Sequence, residues 1–218
     1  MKNVNYTSQI GQDKWVIEEI FHGMTNGFFV DLGAGDGIDL SNTYILETEY
    51  EWDGICVEPN KVSFEQLSKN RRCIVENEFI LDGIKEIEFH QYSGNPPHWE
   101  SFSSMYPVPH LEEHPDVVKT KIKYPSLSLG QLLSRHNVSN VIHYLSVDTE
   151  YTDYEILRHY FENEIGLRTI VSISIEHNFL PARVDQYNLL TSHGFFRHKE
   201  LMHDDLYLNS DFKNLLEL

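Results

Sequence analysis

A short apolar run, Phe28 to Leu32, leads directly into Gly33, Ala34, Gly35, Asp36 and Gly37. An apolar run of this length, bounded by glycines, reads as a buried strand. Glycine at alternate positions permits positive φ and lets a ligand come close to the backbone. A helical pattern follows, from Ser41 to about Tyr50, with Ser41 placed to cap it. A strand, a glycine loop and a helix in that order restrict the chain to an α/β fold. In such folds ligands bind beyond the carboxyl ends of the strands.

The rest of the chain repeats the alternation. Helices are predicted over 12–22 (Trp15, Val16, Ile20 and Phe21 at helical spacing), after Pro59 and Asn60 (Phe64 and Leu67 inward), and over 182–192, stopping before Gly194. Capping-box spacing opens two more, at Ser128 with Gln131 and at Thr152 with Glu155. Strands are predicted at Gly54–Glu58, 73–80, Ile87–Tyr92, Val141–Val147, Thr169–Ile175, 195–200 and 205–208. The expected architecture is a doubly wound, mostly parallel sheet with helices on both faces, in one domain over 1–218. Residues 93–117 interrupt it. They hold Pro96, Pro97, Pro107, Pro109 and Pro115 of the chain's eight prolines, with His98, Trp99, Phe102, Tyr106, His110 and His114. A loop this long suggests a lid or binding segment.

Composition removes several function classes. Seventeen Lys and Arg against 34 Asp and Glu give a formal charge of -17. Such a surface repels phosphate backbones and anionic membranes, so neither nucleic acid nor membrane is an expected partner. Cys56 and Cys73 form no CxxC pair and read as reduced core thiols. The absence of a signal-peptide run at 1–15, or of any stretch near the ~20 apolar residues that span a bilayer, predicts a soluble cytoplasmic protein. Oligomeric state is not legible.

Glu58 stands 21 residues beyond Gly37, at the end of the next strand, where a carboxylate accepts both hydroxyls of a ribose. A dinucleotide site needs GxGxxG, but Ile38 occupies the third glycine position, and Asp31 and Asp36 would repel a pyrophosphate. S-adenosylmethionine carries ammonium and sulfonium charges and no phosphate, so it suits this loop better than NAD.

Four segments, SQIGQDKWV (8–16), GFFVDLGAGDG (27–37), GICVEPN (54–60) and YLSVDTE…DYEIL (144–157), together resemble the FkbM-type methyltransferases, and IEHNF (175–179) fits as well. The resemblance covers residues 8 to about 208 and is weakest in 93–117. It implies a class I, S-adenosylmethionine-dependent fold: a seven-stranded sheet whose last strand is antiparallel. It also implies methyl transfer to a hydroxyl of a sugar, glycan or secondary metabolite. Carried over by residue, Asp31, Gly33, Ala34, Gly35 and Gly37 form the cofactor loop. Glu58, followed by Pro59 and Asn60, holds the ribose. Gln12 belongs to a segment folding over the cofactor, Glu76 and Asn77 are candidates for the adenine, and Asp148 borders the cofactor.

The chemistry should lie after two later strands, at Asp148, Thr149 and Glu150 and at Glu176, His177 and Asn178. An alcohol needs a base within hydrogen-bond reach, titrating near neutrality. His177 is the natural base, with Asp148 or Glu150 orienting it or the substrate. Asp148, Glu150, Glu176 and His177 could alternatively hold Mg²⁺ or Mn²⁺, although no metal is expected. One departure stands out: Tyr151 and Asp153 occupy positions where the family has glycine and glutamate. If that glycine is left-handed, Tyr151 is strained. This motivates a second reading, a non-catalytic protein that keeps cofactor binding, while an NAD-linked oxidoreductase is the third.

Overall fold

The computed structural model describes residues 4–212, apart from 84, 95–98, 139, 165 and 167. The chain opens with α1 (Gln12–Lys14), which widens into a π-helical turn over Trp15–Ile20. There follow β1 (Phe28–Leu32), α2 (Tyr44–Tyr50), β2 (Asp53–Val57), α3 (Lys61–Asn70), β3 (Ile74–Glu76), β4 (Phe79–Leu81) and β5 (Glu86–Gly94). Then come α4 (Pro109–Glu112), β6 (Val117–Ser128), α5 (Leu129–Arg135), β7 (Val141–Val147), α6 (Asp153–His159), β8 (Thr169–Glu176), α7 (Ala182–Ser192), β9 (Phe195–Leu201) and β10 (Asp204–Asn209).

Seven strands form one sheet in the order β3-β2-β1-β7-β8-β10-β9. The first five are parallel, and β10 runs antiparallel to both β8 and β9, as the class I pattern requires. The side-chain period of two sends alternate residues to opposite faces. Phe29, Cys56, Tyr144 and Leu206 meet Trp15, Ile45, Leu46 and Leu67 on one face. Val30, Leu32, Ile55, Leu145 and Ile173 meet Leu132, Leu133, Ile156 and Leu190 on the other. Burial on both faces explains why these strands read as continuous apolar runs rather than alternating ones. Among the described residues, no helix is long and apolar enough to cross a membrane.

Four local expectations change. The stretch 73–80 is two strands, because β3 joins the main sheet while β4 joins a second, three-stranded sheet of order β4-β6-β5. The break falls at Asn77, whose side chain donates to the carbonyls of Glu58 (2.8 Å) and Pro59 (3.0 Å) and so draws the chain toward the end of β2. The long strand β6 was not anticipated, although Lys119, Lys121 and Lys123 alternate with Val118, Thr120 and Ile122. The segment 93–117 therefore closes a long β5–β6 hairpin, in register from Glu86↔Pro125 to Gly94↔Val117. Its described part is built, with a 3-10 turn at Trp99–Phe102, α4, and a buried Leu111; Pro96, Pro97 and His98 lie outside the described residues. Of the caps, Ser128 forms its full box with Gln131. The Thr152 hydroxyl instead turns back to Thr149. Ser41 accepts from the amides of Thr43 and Tyr44, and Thr43 itself stands at the helix N-cap.

One cation organises the far side of the glycine loop. Arg71 follows α3 and is fully buried against Glu47, at 2.6 Å. It also donates to the carbonyls of Gly37 (3.2 Å) and Thr43 (3.4 Å) and to the Thr43 hydroxyl (3.1 Å). Removing one member of a buried ion pair leaves the other uncompensated. Arg71→Met is therefore expected to destabilise the protein by about 3–5 kcal/mol in urea denaturation, and Arg71→Met with Glu47→Leu by less. A single mutant as stable as wild type would show that the pair does not hold this corner.

Candidate active site

The glycine loop crosses the carboxyl end of the sheet. The amides of Gly33 and Ala34 both donate to Val57 O, at 3.0 and 3.1 Å, and the amide of Asp148 donates to Leu32 O at 3.0 Å. The tips of β2, β1 and β7 are thus tied side by side. Gly33 has φ +85°, and a Cβ there would lie 1.7 Å from Asp148 O. Gly35, at φ +57°, meets nothing within 4 Å of where its Cβ would stand, so the backbone is open to a ligand at that point.

Glu58 is buried beside this opening. Its Oε2 accepts from Gly35 N (2.9 Å) and its Oε1 from Asn60 N (2.7 Å). Burial pushes its pKa up to about 7, against those two hydrogen bonds, which favour the charged form. Each carboxylate oxygen has a further lone pair, so the group can still accept from ribose hydroxyls. Asp31 is buried behind the loop, where Thr43 Oγ1 donates to it at 2.6 Å. Burial raises its pKa, opposed by Thr43 and Arg71.

Other expected contacts are engaged elsewhere. Asn60 caps α3 through Val62 N, and its amide donates to Tyr92 O and Ser103 Oγ, so it fastens the β5–β6 hairpin. Pro59 O accepts from Tyr124 and Asn77. Glu76 pairs with His136 (2.6 Å) and Arg135 (3.5 Å), and the Asn77 amide is held by the Glu58 and Pro59 carbonyls. The side-chain roles expected of Glu76 and Asn77 toward an adenine thus meet existing partners. Gln12 is buried and donates to Asp204 Oδ2 at 2.8 Å. The segment before it passes the end of the glycine loop, with Ser8 bridged to Leu40 and the Thr7 hydroxyl on Ser41 O.

Beyond β7 and β8 three carboxylates converge: Asp148, Glu150 and Glu176 each offer an oxygen within 4.8 Å of the others. Burial and mutual repulsion raise all three, Glu150 and Glu176 to about 8 and Asp148 well above its ordinary value. Burial likewise lifts the neighbouring Asp153 to about 6. The Ser104 hydroxyl, from the hairpin segment, donates to Glu150 O at 2.8 Å and links that segment to the cluster.

His177 does not join this group. Its ring is buried, Nδ1 accepts from Phe179 N at 3.0 Å, and Nε2 lies 3.9 Å from Asp205 Oδ1. The ring nitrogen that a neutral histidine would use as a base is therefore occupied. Burial and nearby Arg183 lower its pKa. Among the described residues, the side chains close enough together to share a metal are Asp148, Glu150 and Glu176, without His177.

The loop at Tyr151 bears out the strain expected there: Glu150 and Tyr151 have φ +51° and +79°. Asp153 holds the turn by accepting from Thr149 N (2.9 Å) and Thr149 Oγ1 (3.0 Å). Arg71 and Ser104 escaped sequence reasoning, because neither carries a motif and both act through partners distant in the chain.

The family model for the methyltransferase FkbM domain matches residues 31–207. Among solved structures, the METTL16 MTase domain is similar at TM-score 0.52 and 12% identity, covering 91% of this chain and 66% of that one, so the chain spans about two thirds of its length. The human methyltransferase 10 domain containing protein is similar at TM-score 0.50 and 11% identity, covering 95% of this chain and 85% of that one. At such identities the likeness shows the fold alone. No protein of curated function matches the sequence. The family match includes the glycine loop, Glu58 and the carboxylate cluster, and it decides between the two cofactors that the loop admitted: the chain belongs to the FkbM family of S-adenosylmethionine-dependent methyltransferase domains.

Proposed function

We propose that the protein methylates a hydroxyl oxygen of a sugar, glycan or small secondary metabolite. The observation that carries this reading is the carboxylate cluster beside the glycine loop, where Glu150 titrates at about 8. S-adenosylmethionine, when bound, supplies a methyl group on a sulfonium centre. The loop and Glu58 hold the cofactor, while Glu150 accepts the hydroxyl proton and Asp148 and Glu176 orient the acceptor. A carboxylate raised toward 8 is a stronger base in its ionised fraction, and that fraction grows as pH rises through 8. Tyr151, Tyr154, His177 and Gln186 line a small pocket next to Glu176. The acidity of the chain supports a neutral acceptor rather than a nucleic acid or membrane.

The test is transfer of labelled methyl from S-adenosylmethionine to a panel of glycans and small hydroxyl compounds. Glu150→Gln is expected to lower turnover about 10²–10⁴-fold while leaving S-adenosylhomocysteine binding intact. Turnover unchanged in that variant would remove Glu150 as base, and methyl transfer to amines alone would overturn the oxygen assignment. Cofactor binding with no transfer to any acceptor would favour the non-catalytic reading that Tyr151 suggests. The same three carboxylates also suit a divalent cation. A Mg²⁺ requirement for turnover would replace the carboxylate base with a metal-activated hydroxyl.

A further inference from the structure

The chain has two cysteines, Cys56 and Cys73, and neither is in a disulfide. Their sulfurs stand 3.6 Å apart, with the Cys73 thiol donating to Cys56 Sγ. Cys56 is wholly buried in β2, in register with Asp31 of β1 on one side and Val75 of β3 on the other. Cys73 is half-buried and lies in the connection from α3 to β3, just before Ile74, where the pairing of β3 with β2 begins. The bonded distance in a disulfide is about 2.05 Å, so closure needs an approach of about 1.5 Å. Ladders on both sides hold Cys56 in place, so Cys73 makes that move. Exposure also makes Cys73 the sulfur that a reagent meets first. Burial keeps the Cys56 thiol protonated behind it.

We propose that Cys56 and Cys73 are an oxidation site for a peroxide, which closes a disulfide between them and loosens the cofactor loop. The Cys73 thiolate attacks one peroxide oxygen: an S–O bond forms, the O–O bond breaks, and the leaving hydroxide takes a proton to become water. The Cys56 sulfur, giving up its proton, then attacks Cys73 Sγ. The S–S bond forms, the S–O bond breaks, and a second water leaves. The two sulfurs lose two electrons and the peroxide gains them. The chain carries the change to the loop. Arg71 stands two residues before Cys73 and packs on Gly37, where a Cβ would lie 2.7 Å from Arg71 Cγ. Its guanidinium donates to Gly37 O. Drawing Cys73 toward β2 pulls Arg71 off the end of the glycine loop. The effect on binding rests on the cofactor reading of that loop.

The full chain is treated with hydrogen peroxide, then read by non-reducing peptide mapping and by calorimetry with S-adenosylhomocysteine. A peptide joining Cys56 to Cys73 within one chain is expected, with affinity about ten-fold weaker, and dithiothreitol should reverse both. Cys73→Ser should bind like the reduced wild type and keep its affinity after peroxide; Cys73→Ala serves if the serine variant fails to fold. Cysteines that stay reduced, or that gain oxygen without joining, would overturn the site. A disulfide that leaves affinity unchanged, or an affinity loss that persists in the Cys73 variants, would overturn its effect on the loop. If the reduced wild type binds no ligand, the cofactor reading falls and that effect with it, while the peptide map still decides the disulfide.

Discussion

Replacing Glu58 with alanine is expected to weaken S-adenosylhomocysteine binding by about a hundred-fold, roughly 2.7 kcal/mol. Two ribose hydroxyls lose a charged acceptor, and the amides of Gly35 and Asn60 lose theirs. Glu58→Gln keeps the shape and one acceptor oxygen, so it should lose less. The pH dependence carries the signature. Glu58 titrates at about 7 in the folded protein, above the ordinary 4.5, because it is buried. Below pH 7 it holds a proton and accepts poorly, so affinity should rise about ten-fold between pH 6 and 8, and the glutamine variant should lose that rise. Stability moves the other way. A raised carboxyl pKa favours the folded state fully below pH 4.5, and that contribution fades as pH climbs through 7. Calorimetry across pH measures the first effect, and pH-independent binding in the wild type would exclude Glu58 as the ribose acceptor.

Gly33→Ala is the second large effect. The methyl group would have to occupy a point 1.7 Å from Asp148 O, a backbone atom, at φ +85°. Either the tips of β1 and β7 separate or the loop changes path. A loss of about 4 kcal/mol in urea denaturation is expected, with cofactor binding abolished in whatever fraction folds. Gly35→Ala makes the control: space is open there, so it should cost stability only through its positive φ, about 1 kcal/mol. Equal stability of the two variants would sink the close-approach argument.

Much of this architecture was legible because the central strands are buried on both faces and carry few ambiguous residues. Val141–Val147 and Ala182–Ser192 stand where the pattern puts them, since each is bounded by its own punctuation. The β5–β6 hairpin was not, because its turn is a segment of more than twenty residues and β6 contains Pro125. Local turn chemistry cannot announce a pairing across such a gap. The glycine loop and Glu58 are local signals tied to backbone geometry, and the chain places them together. The choice of base was harder. By chemistry His177 is the natural base, and only the amide of Phe179 on its imidazole turns the proposal toward Glu150.

The first helix and the last two strands of the fold complete each other. Trp15 donates to His198 at 3.1 Å, Glu19 pairs with Lys199 at 2.6 Å, and Gln12 meets Asp204. The first helix leaves the ribosome long before residues 198–204 exist. Until then Val16, Ile17 and Ile20 have no β10 to cover, since Leu206 and Leu208 belong to the same buried cluster. Contacts of such long range make the docking of the first helix a late step in folding. The segment beside the glycine loop is then fastened only once residues 198–208 have been made.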